Sequence, residues 1–457
     1  MAVNLNRNTR VYFSTTEAPS LATTTEIQVL DGYTFSQAVE AAVIQVSEAG
    51  QKPVRGQRSF NSKLNPVEWN ISTYVRPYYA ASKVTCPERL LWNAMMGAKA
   101  IDTTAGIALT TPFVTITSPT AAQNTYTATI NATGHGLTAA DEGSSITISG
   151  ITGGNLEVNG TWTMLQYISA TQFVIDLDTT TAPTTGTPVY TSAKLFKGQW
   201  IETANSAYTT TQGSNVNELQ RFWLFFVVDN STYRIDRCAV NQAEMTFDLT
   251  GISSISWSGF GTALVDVTGT VTITPGTNAT AFAVAANADT FITNKLSTIV
   301  LKSSINGSVS PTTYTVPITG GTFTYSNNIE YVTPEILGAV NSAIGYFTGT
   351  RSVSGNLTAY LKTGTNESAQ LLKDMLLAAA TTSETKYLLE IAVGGKSNQT
   401  RVELLMPGTS LQIPSIDVQD VVSTTINFNA QGYYLGTTPG YDLSQANDLV
   451  VSYFHAP

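Results

Sequence analysis

The chain has 457 residues, enough for two to four domains of ordinary size. Charged residues make up only 12% of it and the formal net charge is −9, while Thr, Ser, Asn and Gly are abundant. This composition excludes a coiled coil, a helical bundle and a charge-rich disordered chain, and the many Thr, Val, Ile and Tyr residues favour β-strands.

The predicted elements begin with an alternating strand at residues 10–14, which is matched by residues 298–302, 288 positions later. The next segment reads as strand, glycine turn and strand around Gly32, and it recurs around Gly320 at the same separation. Two segments that agree on one separation indicate an internal duplication.

The duplication continues through a strand, one amphipathic helix and a second strand. The matched pairs are residues 70–76 with 356–362, residues 87–96 with 368–377, and residues 222–228 with 387–393. The separation is 281 between the helices, at Leu90 and Leu371, and 165 between the last strands, at Phe222 and Tyr387. We therefore predict that the first copy is interrupted by an insertion at about residues 100–215.

The inserted stretch differs in composition from its flanks. Residues 112–192 hold five acidic side chains and no Lys or Arg. Several runs within it alternate apolar and polar residues between Gly-rich turns, which predicts a small antiparallel β-module. An inserted module leaves its host fold intact when its two ends lie close together.

The predicted fold is therefore mainly β, with two tandem domains that each carry one flanking helix, and a small all-β module inserted in the first. The predicted limits are residues 1–111 and 193–265 for the first domain, 112–192 for the module, 266–290 for a linker and 291–457 for the second domain.

The sequence offers little for catalysis, and we expect neither an enzyme nor a bound cofactor or metal. Two histidines are present in all, although His is the usual general base and metal ligand. Cys86 and Cys238 lack CxxC spacing, so we expect two buried reduced thiols. His135, in Gly134-His135-Gly136, is expected to be a turn residue. The N-terminus has no apolar signal segment, and we expect no membrane insertion.

Two alternative functions remain open at this point. One is a β-rich surface adhesin or polysaccharide-binding protein. The other is a glycosidase, which needs only paired carboxylates. Four acidic residues are candidates for such a pair, although no spacing singles out two of them: Glu88, Asp102, Asp229 and Asp236.

One basic cluster stands out in the sequence. It lies at residues 48–65, which we interpret as a long loop between the first hairpin and the strand at Asn70. Because long loops in compact domains are usually functional, we expect this one to contact a neighbouring subunit. Its basic residues are Lys52, Arg55, Arg58 and Lys63.

Several short motifs, taken with the duplication, resemble the tail tube proteins of long-tailed siphophages. The subgroup is the one whose subunit carries two fused tube domains. The motifs are LNRNTRVYF at residues 5–13, EWNISTY at 68–74, LWNA at 91–94, NQAE at 241–244, ISWSGFG at 255–261 and FITNKLST at 291–298. The module at residues 112–192 departs from the relatives, whose extra domain follows the tube domains.

The resemblance implies a structural role in the virion tail, with assembly in the host cytoplasm. It also implies that the two domains are β-sandwich tube domains whose inner strands join those of their neighbours into one closed β-barrel. Three copies would form a ring with pseudo-sixfold symmetry, and stacked rings would form a hollow tube that guides the genome into the host cell. The implied partners are further copies of the chain, the tape-measure protein, the tail terminator and tail-tip proteins, and double-stranded DNA in non-specific passage.

A DNA conduit should lack Lys and Arg on its inner wall, because phosphate neutralisation would retain the genome. The strands that follow the repeated glycine turn, at residues 34–46 and 322–332, contain no basic residue. We expect one of the two faces of these strands to line the channel; if it is the polar face, Phe35 and Phe323 point into the packed layer. The predicted lumen-lining residues are Ser36, Ala38, Glu40 and Glu330.

Overall fold

The protein, seen in a computed structural model, combines a large two-layered β-body with a smaller β-module. The structure describes residues 8–50, 54–80, 83–96, 100–101, 107–118, 126–137, 145–177, 187–191, 193–197, 199–202, 219–281, 291–303, 312–337, 340–379, 387–394, 400–417, 422–431 and 449–454. Lys52 and Asp102 lie outside these ranges.

The first copy of the repeat opens with strands and one short helix. Helix α1 (Arg89–Met96) buries Leu91, Trp92 and Met95 on one face, as the amphipathic pattern predicts. The strands are β1 (Thr9–Ser14), β2 (Thr24–Ile27), β3 (Thr34–Glu48), β4 (Val54–Tyr74), β5 (Tyr78–Ala80), β6 (Lys83–Thr85) and β7 (Ala100–Ile101).

A separate seven-stranded antiparallel sheet follows. Its strands are β8 (Ile107–Ala108), β9 (Thr110–Thr117), β10 (Thr127–Thr133), β11 (Ser145–Ser149), β12 (Gly160–Ser169), β13 (Gln172–Asp176) and β14 (Lys194–Lys197). Across the sheet they lie in the order β8-β14-β11-β12-β13-β10-β9. Ile130, Ile148 and Phe173 belong to a buried cluster that draws only on this part of the chain. Strands β8 and β14 lie outside residues 112–192, and the domain limits remain a prediction.

The chain then returns to the first copy. Its strands are β15 (Gln199–Glu202), β16 (Phe222–Val228), β17 (Ser231–Phe247), β18 (Ser254–Gly261) and β19 (Ala263–Asp266). Trp200 of β15 lies opposite Ile101 of β7. The two ends of the inserted segment are therefore hydrogen-bonded neighbours.

The second copy contains the remaining strands and helix α2. In chain order they are β20 (Thr298–Ser303), β21 (Thr313–Tyr314), β22 (Ile318–Ser326), β23 (Ile329–Val332), β24 (Gly345–Thr348), β25 (Ser352–Tyr360), α2 (Ser368–Ala379), β26 (Tyr387–Val393), β27 (Arg401–Leu411), β28 (Ser415–Asp417), β29 (Ser423–Ala430) and β30 (Val450–Phe454).

One antiparallel sheet runs through both copies, and we name it the long sheet. Its strand order is β3-β4-β18-β17-β22-β25-β29-β28. Strands β17 and β22 form the seam between the two copies, with Met245 opposite Phe323. The two copies thus contribute four neighbouring strands each.

A second layer covers one face of the long sheet. In the first copy it contains β2-β1-β16-β17-β19, and in the second β21-β20-β26-β27-β30. Aromatic side chains fill the space between the layers: the rings of Phe13 and Phe222 stack with centroids 4.4 Å apart, and Trp69 meets Phe222 edge-on at 6.0 Å. The predicted fold class, mainly β with sandwich domains and one helix each, is confirmed.

The strand registers confirm the duplication. Val11 of β1 pairs with Phe226, and Ile299 of β20 pairs with Ile391. These two pairs reproduce the separations of 288 and 165 that were read from the sequence.

The long sheet repeats in the same way. Thr34 pairs with Asn70 in the first copy, and Thr322 pairs with Asn356 in the second. The two copies therefore share one fold and one register.

The predicted loop at residues 48–65 is wrong. Strands β3 and β4 form a long hairpin that is paired as far as Glu48 and Val54. Its outer part, residues 39–48 and 54–64, extends beyond the neighbouring strands, and we name it the arm. Because both faces of the arm are exposed, its sequence lacks the apolar alternation that reveals a half-buried strand.

The predicted strand at residues 322–332 is also wrong, because it is two strands. Strand β22 ends at Ser326, and Asn328 adopts a left-handed conformation with φ 48°, which Asn tolerates better than most residues. Beyond it, β23 pairs with β24 in a separate two-stranded hairpin. Glu330 therefore lies outside the long sheet.

Candidate functional site

The long sheet has one apolar and one polar face. On the apolar face, Ile71, Trp257 and Met245 are buried against the second layer. The intervening residues point the other way, because side chains alternate along a strand. This alternation leaves a continuous face of Ser, Thr, Asn and Gln that the second layer does not cover.

Cross-strand pairs extend this polar face across the seam between the copies. One row of paired residues contains Thr34, Asn70, Ser258, Gln242, Ser326 and Ser352, and the next contains Ser72, Ser256, Glu244, Thr324, Ser354 and Asn429. Hydroxyl and amide side chains are small and uncharged, so the face offers polar contacts without strong charge.

The charges on this face are predominantly acidic. Glu68 and Glu244 are exposed on it, and Glu40 lies at the base of the arm. Lys63 lies opposite Glu40 at the base of the arm, and its Nζ lies 3.6 Å from a carboxylate oxygen of Glu40. This ion pair is exposed, so it adds little to stability, but it offsets the positive charge locally.

The structure separates the four predicted lumen residues. Ser36, Ala38 and Glu40 lie on the exposed side of β3, with Ser36 opposite Glu68. Glu330 is exposed in the β23–β24 hairpin, opposite Phe347. Their role in lining a channel remains a prediction.

The two phenylalanines lie on the apolar face. The ring centroid of Phe35 is 4.5 Å from that of Phe226, and Phe323 is 1% exposed. Both side chains therefore point into the packed layer rather than towards the polar face.

The predicted basic cluster is distributed along one strand rather than around a loop. Arg55 and Arg58 are exposed on the arm, opposite Ser47 and Ile44, and Lys63 pairs with Glu40 at its base. Lys52 lies outside the described residues. The contact of this cluster with another subunit remains a prediction.

Asparagine side chains reinforce the seam between the copies. The Asn327 side-chain amide donates to the backbone oxygens of Met95 (2.8 Å) and Val240 (3.1 Å). The Asn241 side-chain oxygen accepts from the Ile329 backbone N–H at 2.8 Å. Strand pairing and these side chains together fix the register of the second copy on the first.

The long sheet has an unpaired strand at each end. Among the described strands, β3 is hydrogen-bonded only to β4, and β28 only to β29. An unpaired strand presents free N–H and C=O groups that pair readily with another strand. The chain therefore carries two edges that are available for pairing with other chains.

The residues that the sequence analysis considered for catalysis or metal binding are buried or make contacts within the fold. Buried His135 accepts from the Leu137 N–H (3.0 Å) through Nδ1, and its Nε2 lies 3.1 Å from the Ser169 carbonyl oxygen. Cys86 and Cys238 are free and buried, as predicted. Glu88 is buried, out of reach of a polysaccharide, and Asp236 pairs with Arg234.

Two further observations apply to the described part of the chain. It contains no cluster of three or more His, Cys, Asp or Glu residues placed to hold a metal ion. None of its helices is long and apolar enough to span a membrane.

Sequence reasoning missed most of the polar face. Glu68 and Glu244 were not selected, although the alternation in Trp69-Asn70-Ile71-Ser72 and Ser256-Trp257-Ser258 marks one polar and one apolar face. The signal was present in each strand, but which strands lie side by side follows only from the tertiary pairing.

Comparison with known proteins agrees with this architecture. No family model matches the chain. The chain is 26% identical over 472 aligned residues to Tail tube protein pb6 of Escherichia phage T5, and the alignment covers 99% of this chain and 79% of that protein. The chain is therefore related to a phage tail tube protein along almost its entire length, as its motifs and duplication predict.

Proposed function

We propose that this chain is the structural subunit of a phage tail tube, in which three copies close the long sheet into a ring and the rings stack into a hollow conduit for the genome. The observation that carries the proposal is the β17–β22 seam, where the last strand of one copy pairs with the first strand of the next. The two edge strands of the long sheet, β28 and β3, are the equivalents of the seam strands β17 and β22.

The seam supplies a template for pairing between chains. In the first copy, Ser256 of β18 pairs with Glu244 of β17, and Glu244 pairs across the seam with Thr324 of β22. Each of these positions has an equivalent in the other copy, because the registers repeat.

The equivalents lie at the unpaired edges. Thr425 of β29 corresponds to Ser256 and pairs with Ser415 of β28. Ser36 of β3 corresponds to Thr324, 288 positions earlier. In the proposed ring, Ser415 of one chain therefore lies opposite Ser36 of the next. Closure would remove every free edge of the long sheet, the main aggregation liability of exposed strands.

The proposed ring directs the polar face inward. The second layer and the helices cover the apolar face, so the uncovered polar face is the one that can border an open channel. Its hydroxyl, amide and carboxylate groups would repel or only weakly bind phosphate, which suits the passage of DNA. Glu40 and Glu68 would contribute to this wall.

The remaining parts of the proposal rest on the resemblance. Assembly would take place in the host cytoplasm, with the tape-measure protein inside the growing tube. The tail terminator and tail-tip proteins would contact its two ends. The relationship along almost the whole chain favours this role over an adhesin or a glycosidase.

A disulfide cross-link tests the proposed register. Residues opposite each other in antiparallel strands have Cα atoms about 4.5–5.5 Å apart, which suits a disulfide. The variant that combines Ser36→Cys and Ser415→Cys should form covalent dimers and trimers upon mild oxidation of assembled tubes, as seen by non-reducing electrophoresis.

A matched control uses Glu40→Cys with Ser415→Cys, whose positions would be shifted by four residues, or about 13 Å along the strand. This pair should remain monomeric under the same oxidation. Equal cross-linking by both pairs, or none in tubes that assemble normally, would exclude the proposed register.

The inserted module should be dispensable for ring formation. Its sheet spans Ile107–Lys197 and has its own buried cluster, and the flanking strands β7 and β15 are hydrogen-bonded neighbours. Replacing residues 107–197 with a short Gly/Ser linker should therefore leave rings of reduced outer diameter, as seen by electron microscopy. A folded deletion variant that formed no rings would show that the module takes part in assembly.

A further inference from the structure

The segment that opens the second copy is held on the first copy. Residues 291–296, which we name the joining segment, lie against the turn between β17 and β18. The Ser253 N–H donates to the Ile292 carbonyl oxygen at 2.8 Å, and the Asn294 N–H donates to the Gly251 carbonyl oxygen at 3.0 Å. Ile292 and Asn294 are both buried. The second copy therefore binds the first copy before its own first strand begins.

Side chains of the first copy add to this contact. The Phe291 ring meets the Tyr74 ring edge-on with centroids 5.3 Å apart, and the Arg76 guanidinium lies 5.1 Å from the centre of the Phe291 ring. Both arrangements are favourable for aromatic rings. The Asn294 side-chain amide donates to the Asp248 carboxylate at 3.2 Å. The joining segment thus crosses the seam and makes contacts on both sides of it.

The first copy of the repeat opens with an equivalent segment. At the separation of 288, residues 3–8 correspond to the joining segment, and we name them the leading segment. Residues 3–7 lie outside the described residues. The pairs of identical or similar residues at this separation are Asn6 with Asn294, Arg7 with Lys295, and Thr9 with Ser297. The two segments therefore share the residue types that surround the buried asparagine of the joining segment.

The second copy carries an equivalent of the surface that holds the joining segment. Tyr360 and Lys362 correspond to Tyr74 and Arg76, 286 positions earlier, and Val422 corresponds to Ser253 as Thr425 corresponds to Ser256. The backbone geometry repeats as well. The Val75 N–H donates to the Ser253 carbonyl oxygen at 3.0 Å, and the Leu361 N–H donates to the Val422 carbonyl oxygen at 3.0 Å.

This equivalent surface is more exposed than its counterpart in the first copy. Tyr74 is half-buried under Phe291, whereas Tyr360 is 47% exposed. The Lys362 side chain is also exposed. The surface therefore has the shape of a binding site for a joining segment, and it is free to receive one from another chain.

We infer that the leading segment of one chain binds the second copy of the neighbouring chain in the ring. The inference rests on the proposed function, because the neighbour is the chain whose β28 lies beside β3. Val3 would lie on the Tyr360 ring, and the Asn4 carbonyl oxygen would accept from the Val422 N–H. Each interface in the ring would then contain one strand pair and one leading segment.

A disulfide between Asn4→Cys and Val422→Cys tests the contact. Their equivalents Ile292 and Ser253 directly follow the antiparallel Ile252–Thr293 bridge, and such neighbours have Cα atoms about 4.5–5.5 Å apart. Mild oxidation of assembled tubes should give covalent dimers and trimers and nothing larger, because three cross-links close a ring.

The matched control combines Asn4→Cys with Thr425→Cys, whose second position lies three residues, or about 10 Å, farther along the strand. It should cross-link at least about tenfold less. Equal cross-linking by both pairs would overturn the inference. Species larger than trimers would do the same, since they would place the contact between rings.

Protection of Arg7 from trypsin gives a second measurement. Cleavage after Arg7, followed by mass spectrometry, should be at least about tenfold slower in assembled tubes than in dissociated subunits, because a bound segment resists proteolysis. Tyr360→Asp places a charge against Val3, so its tubes should lose this protection. Leu156→Asp, at a similarly exposed residue of the inserted module, should keep it.

The outcomes separate this inference from the proposed function. Folded Tyr360→Asp subunits that form no rings, while Leu156→Asp assembles normally, would also support the contact. Tubes in which Ser36→Cys cross-links to Ser415→Cys but Asn4→Cys does not cross-link to Val422→Cys would overturn the inference and leave the ring intact. Equal cleavage after Arg7 in tubes and subunits would also overturn it. Failure of the unmodified chain to form rings would contradict the proposed function instead.

Discussion

Replacing Gly259 with Phe should unfold or severely destabilise the first domain. A side-chain carbon at Gly259 would overlap the Ala239 carbonyl oxygen and the Trp69 ring. Gly259 and Trp69 lie opposite each other on β18 and β4, and Trp69 is 2% exposed. Because overpacking of a core costs about 1–3 kcal/mol and more when backbone must move, we expect a loss of at least about 3 kcal/mol in the free energy of unfolding.

The second copy provides the matched rescue. There the large and small residues are exchanged: the equivalent of Trp69 is Gly355, and the equivalent of Gly259 is Phe428, which packs over that glycine. The double variant Trp69→Gly with Gly259→Phe should therefore recover more than half of the stability lost in Gly259→Phe, as measured by denaturant titration. No recovery would mean that the backbone approach to Ala239, not the ring contact, governs this position.

The second large effect concerns Glu88, at the start of helix α1. Its carboxyl is buried, with one oxygen accepting from the Tyr453 hydroxyl at 2.8 Å and the other without a partner among the described residues. Trp92 Nε1–H donates to the Tyr453 oxygen at 2.7 Å. Burial raises the pKa of Glu88 to about 7, although the Tyr453 hydrogen bond and the charge of Arg76 lower it in part.

Stability should therefore fall as pH rises from about 4.5 to about 7. The folded state holds the Glu88 proton in this interval while the unfolded state releases it, so the stabilisation is complete below the unfolded pKa and is lost as pH passes the folded pKa. A raised pKa of this size corresponds to about 3 kcal/mol between the two limits.

The Glu88→Gln variant should lose most of this pH dependence, because an amide keeps the acceptor for Tyr453 but does not titrate. The measurement is the free energy of unfolding of the purified chain at pH 5 and pH 8. Glu68→Gln, at an exposed carboxylate of the polar face, should keep the slope of the unmodified chain. A Glu88→Gln variant with the same slope as the unmodified chain would contradict the proposed buried proton.

The repeated fold could be predicted from sequence because each copy shows its half-buried strands. In Asn70-Ile71-Ser72-Thr73, buried residues alternate with more exposed ones, and the same alternation returns in Asn356-Leu357-Thr358-Ala359, 286 positions later. The arm could not be predicted, because its two exposed faces impose no such pattern. The break at Asn327 depends on contacts with Met95 and Val240, which are distant in the chain.

The sequence alone indicated that β3 belongs to the candidate site, but it did not indicate how far the polar face extends over the neighbouring strands. The period of two in β3 places Ser36 and Glu40 on one face, and Phe35 and Phe323 lie on the apolar face. The pairing of Glu40 with Lys63, and the neighbouring Glu68 and Glu244, depend on the registers between β3, β4, β18 and β17. Register is a property of the packed sheet, and a single sequence does not contain it.

The position of β30 constrains the order in which the subunit can mature. This strand lies between β27 of the second copy and β15 of the first, with Val451 opposite both Leu404 and Ile201. Since β30 follows both strands in the sequence, a nascent chain leaves β15 and β27 unjoined until β30 has been synthesised. The joining of the two halves therefore waits for β30, and products truncated before it lack the strand that unites them.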